Sequence, residues 1–193
     1  MQSFHHFVPP QSVRLLQCWI DELDTKVVIS SPRRTKLGDF KVQHNRFVVS
    51  INNNLNPYSF LITLTHEIAH AFIWRDYKNH VKPHGKEWKD IYRNLMLNFL
   101  NPDIFPQDIL RNLSKHLISP SASTTTDIKL YSCLRKYNNS IKKTVSDVQE
   151  GEVFFLKNQK KFIKGPKLRK RFKCIELVSQ KTYMVHPLAE IFA

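Results

Sequence analysis

The sequence predicts an α+β fold: a helix–hairpin–helix–helix core followed by a small antiparallel β-sheet. In residues 9–118, apolar residues recur at helical spacing in several segments and alternate with polar residues in one pair of short strands. Residues 128–193 instead contain β-branched and aromatic runs separated by basic, turn-like segments. The intervening segment 119–127, SPSASTTTD, has the small polar composition of a linker. We therefore predict domains at 1–118 and 128–193, joined by residues 119–127.

The hydrophobic pattern also places the individual elements of the first domain. We expect a first helix, then a strand, then a hairpin with Phe40 and Val42 facing the core, and two further helices after a long central one. These elements are predicted over 12–24, 26–30, 39–43 with 46–51, 85–99 and 106–118.

The central helix begins at Asn56-Pro57, because asparagine is a favoured N-cap and proline a favoured first helical residue. It continues to about residue 77 with few polar residues, and a helix that is apolar nearly all round is buried. His66, Glu67 and His70 lie within it. Polar groups in an apolar setting cost free energy unless something satisfies them, and a metal ion would do so.

These three residues form a His-Glu-x-x-His pattern. His66 and His70 are four residues apart, so they lie on one face of a helix and can reach one ion. Glu67 can then act as a general base next to the metal. Such a pattern also occurs by chance, and the alternative is a chain whose two histidines are ordinary helix residues.

A catalytic zinc ion takes three protein ligands and keeps a fourth position for water. The third ligand is expected downstream of His70, where Asp76, His80, His84 and Glu87 are available. We favour His84, because it directly precedes a helix and Gly85 leaves room for close approach of the backbone. His80 lies in a polar connector without such an anchor. The sequence therefore predicts one zinc ion bound by His66, His70 and His84.

Composition sets wider limits. The chain carries a net charge of +14, and residues 129–193 hold 15 Lys/Arg against 5 Asp/Glu. This excess predicts a polyanionic partner for the C-terminal third, although a solvated basic face is the plainer alternative. The three cysteines are isolated and odd in number, which predicts a reducing, cytoplasmic location. No apolar run approaches the ~20 residues that cross a bilayer, so no membrane association is expected.

The motif His66-Glu67-Ile68-Ala69-His70 followed by His84-Gly85-Lys86-Glu87-Trp88 resembles the SprT-like family of zinc metalloproteases. The similarity covers roughly residues 9–118 and implies a zincin-like, minimal metalloprotease fold of the Spartan type. It also implies that His66, His70 and His84 are zinc ligands and that Glu67 is the catalytic base. Because members of the family act on proteins crosslinked to DNA, a DNA-associated protein substrate is implied as well.

The C-terminal region departs from that family. Many SprT-like proteins end in a zinc ribbon with two Cys-x-x-Cys pairs, but here Lys136 and Leu177 stand where the partners of Cys133 and Cys174 would be. Two thiolates do not complete a tetrahedral site. We therefore predict a ribbon-like sheet without metal, stabilised by packing of Phe154, Phe155, Phe162, Phe172 and Ile175.

Lysine and arginine residues are interleaved with aromatic residues between Lys157 and Lys173, a pattern typical of grooves that bind single strands or nucleic-acid backbones. The alternative is that Phe162 and Phe172 belong to the core while the lysines are solvated. The candidate nucleic-acid contacts are Lys160, Lys161, Lys164, Lys167, Arg169, Lys170, Arg171 and Lys173.

Three functions remain possible from the sequence. The first is a zinc-dependent endopeptidase, recruited to DNA by its basic region. The second is a non-catalytic DNA-binding or regulatory protein with a structural zinc site, but such a site does not need Glu67 beside its first ligand. The third is a metal-dependent hydrolase of another bond, for which further aspartate ligands would be expected. If a peptide is the substrate, we expect it to pair with an exposed strand edge, for which 46–51 is the candidate.

Overall fold

The computed structural model describes residues 3–33, 35–121 and 126–192, which divide into two compact units, Met1–Asn139 and Ser140–Ala193. The predicted α+β class is confirmed, with two small sheets and five α-helices in the described residues. The boundary lies later than the predicted linker 119–127, of which residues 122–125 fall outside the described ranges. Residues 128–139 belong to the first unit.

The first unit contains all five helices and a three-stranded sheet. Its elements are α1 (Val13–Glu22), β1 (Thr25–Ser30), β2 (Gly38–Gln43), β3 (Arg46–Asn52), α2 (Pro57–Tyr77), α3 (Lys86–Leu97), α4 (Gln107–Ile118) and α5 (Ile128–Arg135). The strand order is β1-β3-β2, with β1 parallel and β2 antiparallel to β3. The predicted first helix, strand, hairpin and following helices are therefore all present.

The hairpin differs from its prediction in two respects. Val42 is 37% exposed and is not covered by the core, whereas Phe40, on the same face of the strand, packs against it. The segment 46–51, expected at an edge, forms the central strand β3, because β1 occupies its second side. Within the hairpin, the strand with an unpaired edge is therefore β2.

Helix α2 lies at the centre of this unit. Asn56 accepts a hydrogen bond from the Ser59 N–H at 2.9 Å and caps the helix, and Pro57 is its first residue, as the sequence predicts. Twelve of its side chains are buried, so packing rather than propensity stabilises it. The hydroxyl groups of Thr63 and Thr65 donate to the carbonyls four residues before them and need no other partner.

Residues 128–135 form α5, and the expectation of a strand there was wrong. Asp127 caps this helix by accepting from the Leu130 N–H at 3.1 Å. Leu130, Cys133 and Leu134 are buried in the core of the first unit. Since Cys133 belongs to the first unit and Cys174 to the second, they do not form the two halves of one degenerate ribbon.

The second unit is a four-stranded antiparallel sheet in the order β4-β5-β6-β7. Its strands are β4 (Val153–Phe155), β5 (Lys161–Leu168), β6 (Arg171–Glu176) and β7 (Thr182–Val185). After β7 the chain returns to β4, where Phe192 bridges Phe155. Phe154 and Phe162 are buried in its core as predicted, but Ile175 is 39% exposed and faces away.

No helix among the described residues is both long enough and apolar enough to span a membrane. The three cysteines are free thiols, with Cys18 exposed and the other two buried.

Candidate metal centre

The three predicted ligands converge on one point. The Nε2 atom of His70 lies 3.2 Å from that of His66 and 3.0 Å from that of His84, and the remaining pair is 3.2 Å apart. Within the described residues this is the group of His, Cys, Asp and Glu side chains with metal-ligand spacing. A tetrahedral zinc ion with bonds of about 2.0–2.1 Å places its nitrogen ligands about 3.3–3.4 Å apart. The three imidazoles therefore fit one zinc ion.

The protonation state of the ligands suits a metal. Burial is the main cause that lowers the pKa of His66 to about 2 and that of His70 to about 4, and the neighbouring imidazoles act in the same direction. Burial also lowers the pKa of His84. A metal binds the neutral imidazole, so all three rings are in the binding form at neutral pH.

Glu67 lies on the side of α2 that contacts β2. The backbone N–H of Phe40, on that strand, acts to lower the pKa of its carboxyl. A Cβ atom on Gly38 would lie 2.6 Å from Oε1 and 2.8 Å from Cγ of Glu67. Only glycine therefore lets β2 approach this closely, and the strand holds the carboxylate in place.

The surroundings of Glu67 favour its neutral form. Burial raises its pKa to about 8, and the charge of Asp39 acts in the same direction. Arg33 and Lys36 oppose this shift without cancelling it. A buried carboxyl with a strongly raised pKa is typical of a functional site.

The loop before β2 is anchored by residues that the sequence did not reveal as important. The Arg33 guanidinium donates to the Asn52 side chain at 2.8 Å and to the Ser50 hydroxyl at 2.9 Å. The buried Asn52 amide in turn donates to the Lys36 carbonyl at 2.9 Å. These bonds fix the loop that leads into Gly38, and the sequence offers no local signal for them.

His84 reaches the other two ligands through a tight turn. The Gly85 N–H donates to the Lys82 carbonyl at 2.9 Å, and His84 has a φ of 56°. Pro83 at the second position and a positive φ at the third define a type II turn. A Cβ atom on Gly85 would lie 2.9 Å from the Lys82 oxygen, so this residue must be glycine.

Residues 16–106 match the SprT-like family. This segment belongs to that family. Comparisons with curated proteins and with solved structures found no match. The SprT-like family is associated with metallopeptidases and with zinc, in agreement with the histidine triad.

Aromatic side chains form one wall of the SprT-like site. The Trp88 ring lies 4.5 Å from His66, 5.3 Å from His70 and 4.7 Å from His84, measured between centroids. Tyr92 stacks on Trp88 at 4.8 Å, and both are buried. The sequence placed both residues in the helix core and did not predict this contact. The wall excludes water behind the ligands and restricts the orientation of their rings.

The other residues considered as ligands lie outside this triad. His80 and Asp76 are exposed, and Glu87 is half-buried in the first turn of α3. None of the three is grouped with His66 and His70 in the described part of the chain.

The turn makes Pro83 a positioning residue of the SprT-like site. Its ring fixes the backbone before His84, and replacing it frees the loop when no ion is bound. We expect Pro83→Ala to weaken zinc affinity roughly two- to five-fold, the equivalent of about 0.4–1 kcal/mol of loop ordering. Competition with a chelating dye measures this, with Pro102→Ala as the matched control. Equal affinities of the Pro83 variant and wild type would remove this role.

The predicted nucleic-acid contacts lie in the second unit, and most of them are exposed. Lys164 is the exception, because it is 7% exposed. Its Nζ donates to the Val148 carbonyl and lies over the Phe172 ring, 4.0 Å from the centroid. It is therefore not available to a phosphate. The sequence does contain a signal for the burial of Lys164. It lies two residues after Phe162 on the same strand, and such positions face the same side of a sheet. The seven remaining candidates are Lys160, Lys161, Lys167, Arg169, Lys170, Arg171 and Lys173.

Proposed function

We propose that this chain is a zinc-dependent endopeptidase of the SprT-like type. The observation that carries the proposal is the convergence of three Nε2 atoms, each 3.0–3.2 Å from the others, together with a buried carboxyl, Glu67, that follows the first ligand on the same helix. The alternative of a purely structural zinc site explains the ligands but leaves this carboxyl without a purpose.

When bound, zinc in such a site polarises the scissile carbonyl and lowers the pKa of its water to about 7. The Glu67 carboxylate takes the proton of the attacking water and passes it to the leaving amine nitrogen. Its own pKa, raised by burial, falls when a dication lies beside it, because an opposite charge favours the ionised form.

The free edge of β2 is the place for an extended peptide. The Asn52 N–H donates to the Leu37 carbonyl, so Leu37 is hydrogen-bonded to the β3 side. Residues along an antiparallel strand alternate in this respect, so the backbone N–H and C=O groups of Gly38, Phe40 and Val42 point to the open edge. A substrate strand paired with β2 would bring its peptide bonds alongside the candidate base.

We further propose that the substrates are DNA-associated proteins and that the second unit binds the DNA. Residues 140–193 hold 12 Lys/Arg against 5 Asp/Glu, a net charge of +7 in a small unit. The seven exposed basic candidates support a phosphate-binding surface. The three free cysteines support a cytoplasmic location.

Metal removal tests the enzyme proposal. We expect the purified chain to cleave a DNA-bound protein, to lose this activity after treatment with a zinc chelator, and to regain it with about one equivalent of zinc. Peptide products are measured by mass spectrometry, and magnesium serves as the control ion. Zinc binding without any cleavage, with DNA present or absent, would favour the non-catalytic alternative.

A further inference from the structure

The strands β5 and β6 form a narrow hairpin in the second unit. Leu168 pairs with Arg171, so only Arg169 and Lys170 form the turn. Residues 166–171 are all exposed, and the register shifts between Lys164 and Lys167, which sets the tip apart from the rest of the sheet. We call residues 167–171 the hairpin tip.

The pleat of the hairpin separates two faces at this tip. Phe172 packs against the core of the second unit, and its cross-strand partner Lys167 holds its Nζ 6.0 Å from that ring. Neighbouring positions on a strand face opposite sides. Leu168 and Arg171 therefore face away from the core. Leu168 is 48% exposed, although it is a large apolar residue at the end of a basic ribbon.

The charge of the tip is of one sign. Lys167, Arg169, Lys170 and Arg171 surround Leu168, and no acidic residue occurs between Glu152 and Glu176. Ion pairs found among the described residues involve none of these four cations. Arg171 makes one side-chain hydrogen bond, from Nη1 to the Met184 carbonyl at 3.2 Å. A partner with closely spaced negative charges complements this tip.

The aromatic rings within residues 157–173 are buried or half-buried and offer no open stacking face, whereas Tyr183 on β7 is 37% exposed. Phe162 is 2% exposed, and Phe172 is half-buried beneath the Lys164 ammonium at 4.0 Å. The ammonium of Lys161 lies 5.1 Å from the Phe155 ring, which is also half-buried. Binding of single strands relies on open aromatic faces. The alternation of basic and aromatic residues in this segment is therefore not in itself a signal for single-strand binding.

We infer that the hairpin tip enters the minor groove of duplex DNA and that Leu168 wedges between base pairs. Apolar side chains on narrow basic elements unstack a base step in this way and bend the duplex, while flanking cations contact phosphates. The inference rests on the proposed DNA binding of the second unit. It adds the form of DNA, the groove and the residue that deforms it.

The test uses the full chain and a duplex of about 25 bp carrying fluorophores at both ends, together with the matching single strand. We expect Leu168→Ala to reduce duplex affinity on the order of ten-fold and to abolish the bend seen by energy transfer. The dependence of affinity on salt should be unchanged, because the phosphate contacts remain. Lys170→Gln should instead lower the salt slope by about one contact and keep the bend.

The matched controls are Val178→Ala, an 87% exposed apolar residue in the turn after β6, and Lys181→Gln on the same loop. If Leu168→Ala binds and bends DNA as Val178→Ala does, the wedge is disproved while DNA binding stands. Preferential binding of the single strand disproves it as well. If the wild type binds neither form, the proposed DNA binding itself fails, and the wedge with it.

Discussion

Glu67→Gln is expected to reduce the rate of peptide cleavage on the order of 10²–10⁴-fold, the usual contribution of a general base. Glutamine has nearly the same shape, so the packing of this side chain against Gly38 of β2 is retained. It cannot take a proton from water. Turnover of a DNA-bound protein, followed by mass spectrometry, measures the loss.

Zinc content separates this effect from damage to the site. The variant should hold as much zinc as the wild type, because the triad does not include Glu67. Glu87→Gln is the matched control: it removes a half-buried carboxylate of the neighbouring helix α3 and should leave cleavage unchanged. Full activity of Glu67→Gln would show that the base is another residue.

The same substitution should alter the pH dependence of stability of the metal-free protein. The pKa of Glu67 is about 8 in the folded state and 4.5 as a free group, so between these values the folded chain keeps a proton that the unfolded chain has lost. The free energy of unfolding therefore falls as pH rises through this window. We expect the free energy of unfolding of metal-free Glu67→Gln to exceed that of wild type by about 2–4 kcal/mol at pH 8, with little difference at pH 4.5. Urea unfolding at both pH values measures this, and equal curves at pH 8 would contradict the burial of an ionisable group.

His84→Ala is the second substitution with a large expected effect. Zinc binding by four ligands is worth about 10–16 kcal/mol, so one ligand contributes about 2.5–4 kcal/mol. We therefore expect zinc affinity to fall roughly a hundred- to a thousand-fold and cleavage to be lost at ordinary zinc concentrations. Competition with chelating dyes of graded affinity measures the change.

His80→Ala is the control for the choice of third ligand. It removes an exposed histidine from the same connector and lies four residues before His84. Its zinc affinity and cleavage should equal those of the wild type. The opposite result, a loss with His80→Ala and none with His84→Ala, would overturn the geometry of the triad.

The candidate metal site could be predicted from the sequence because the spacing of two of its histidines is local. His66 and His70 share a helix face by spacing alone, and the Asn56-Pro57 cap marks where that helix begins. His84 was one of several candidates. Its position beside the other two depends on the turn of residues 82–85, in which His84 has a φ of 56°. Pro83 and Gly85 allow this turn.

The helix α5 was missed although its signal was present. Leu130, Cys133, Leu134 and Tyr137 follow helical spacing after Asp127, a good N-cap. The aromatic and cysteine residues suggested a strand instead. Packing decided the outcome, since these residues enter the core of the first unit and the Asn56 amide donates to the Leu134 carbonyl at 2.9 Å.

The sequence by itself determined the α+β class, the central helix, two candidate ligands and the candidate base, because helix periodicity and capping act over a few residues. Only the tertiary structure decided that β3 is central and that β2 presents the free edge beside Glu67, because strand order depends on pairing between distant segments. It also decided that Lys164 is buried while Leu168 is exposed, since each depends on the face that the folded sheet turns to its core.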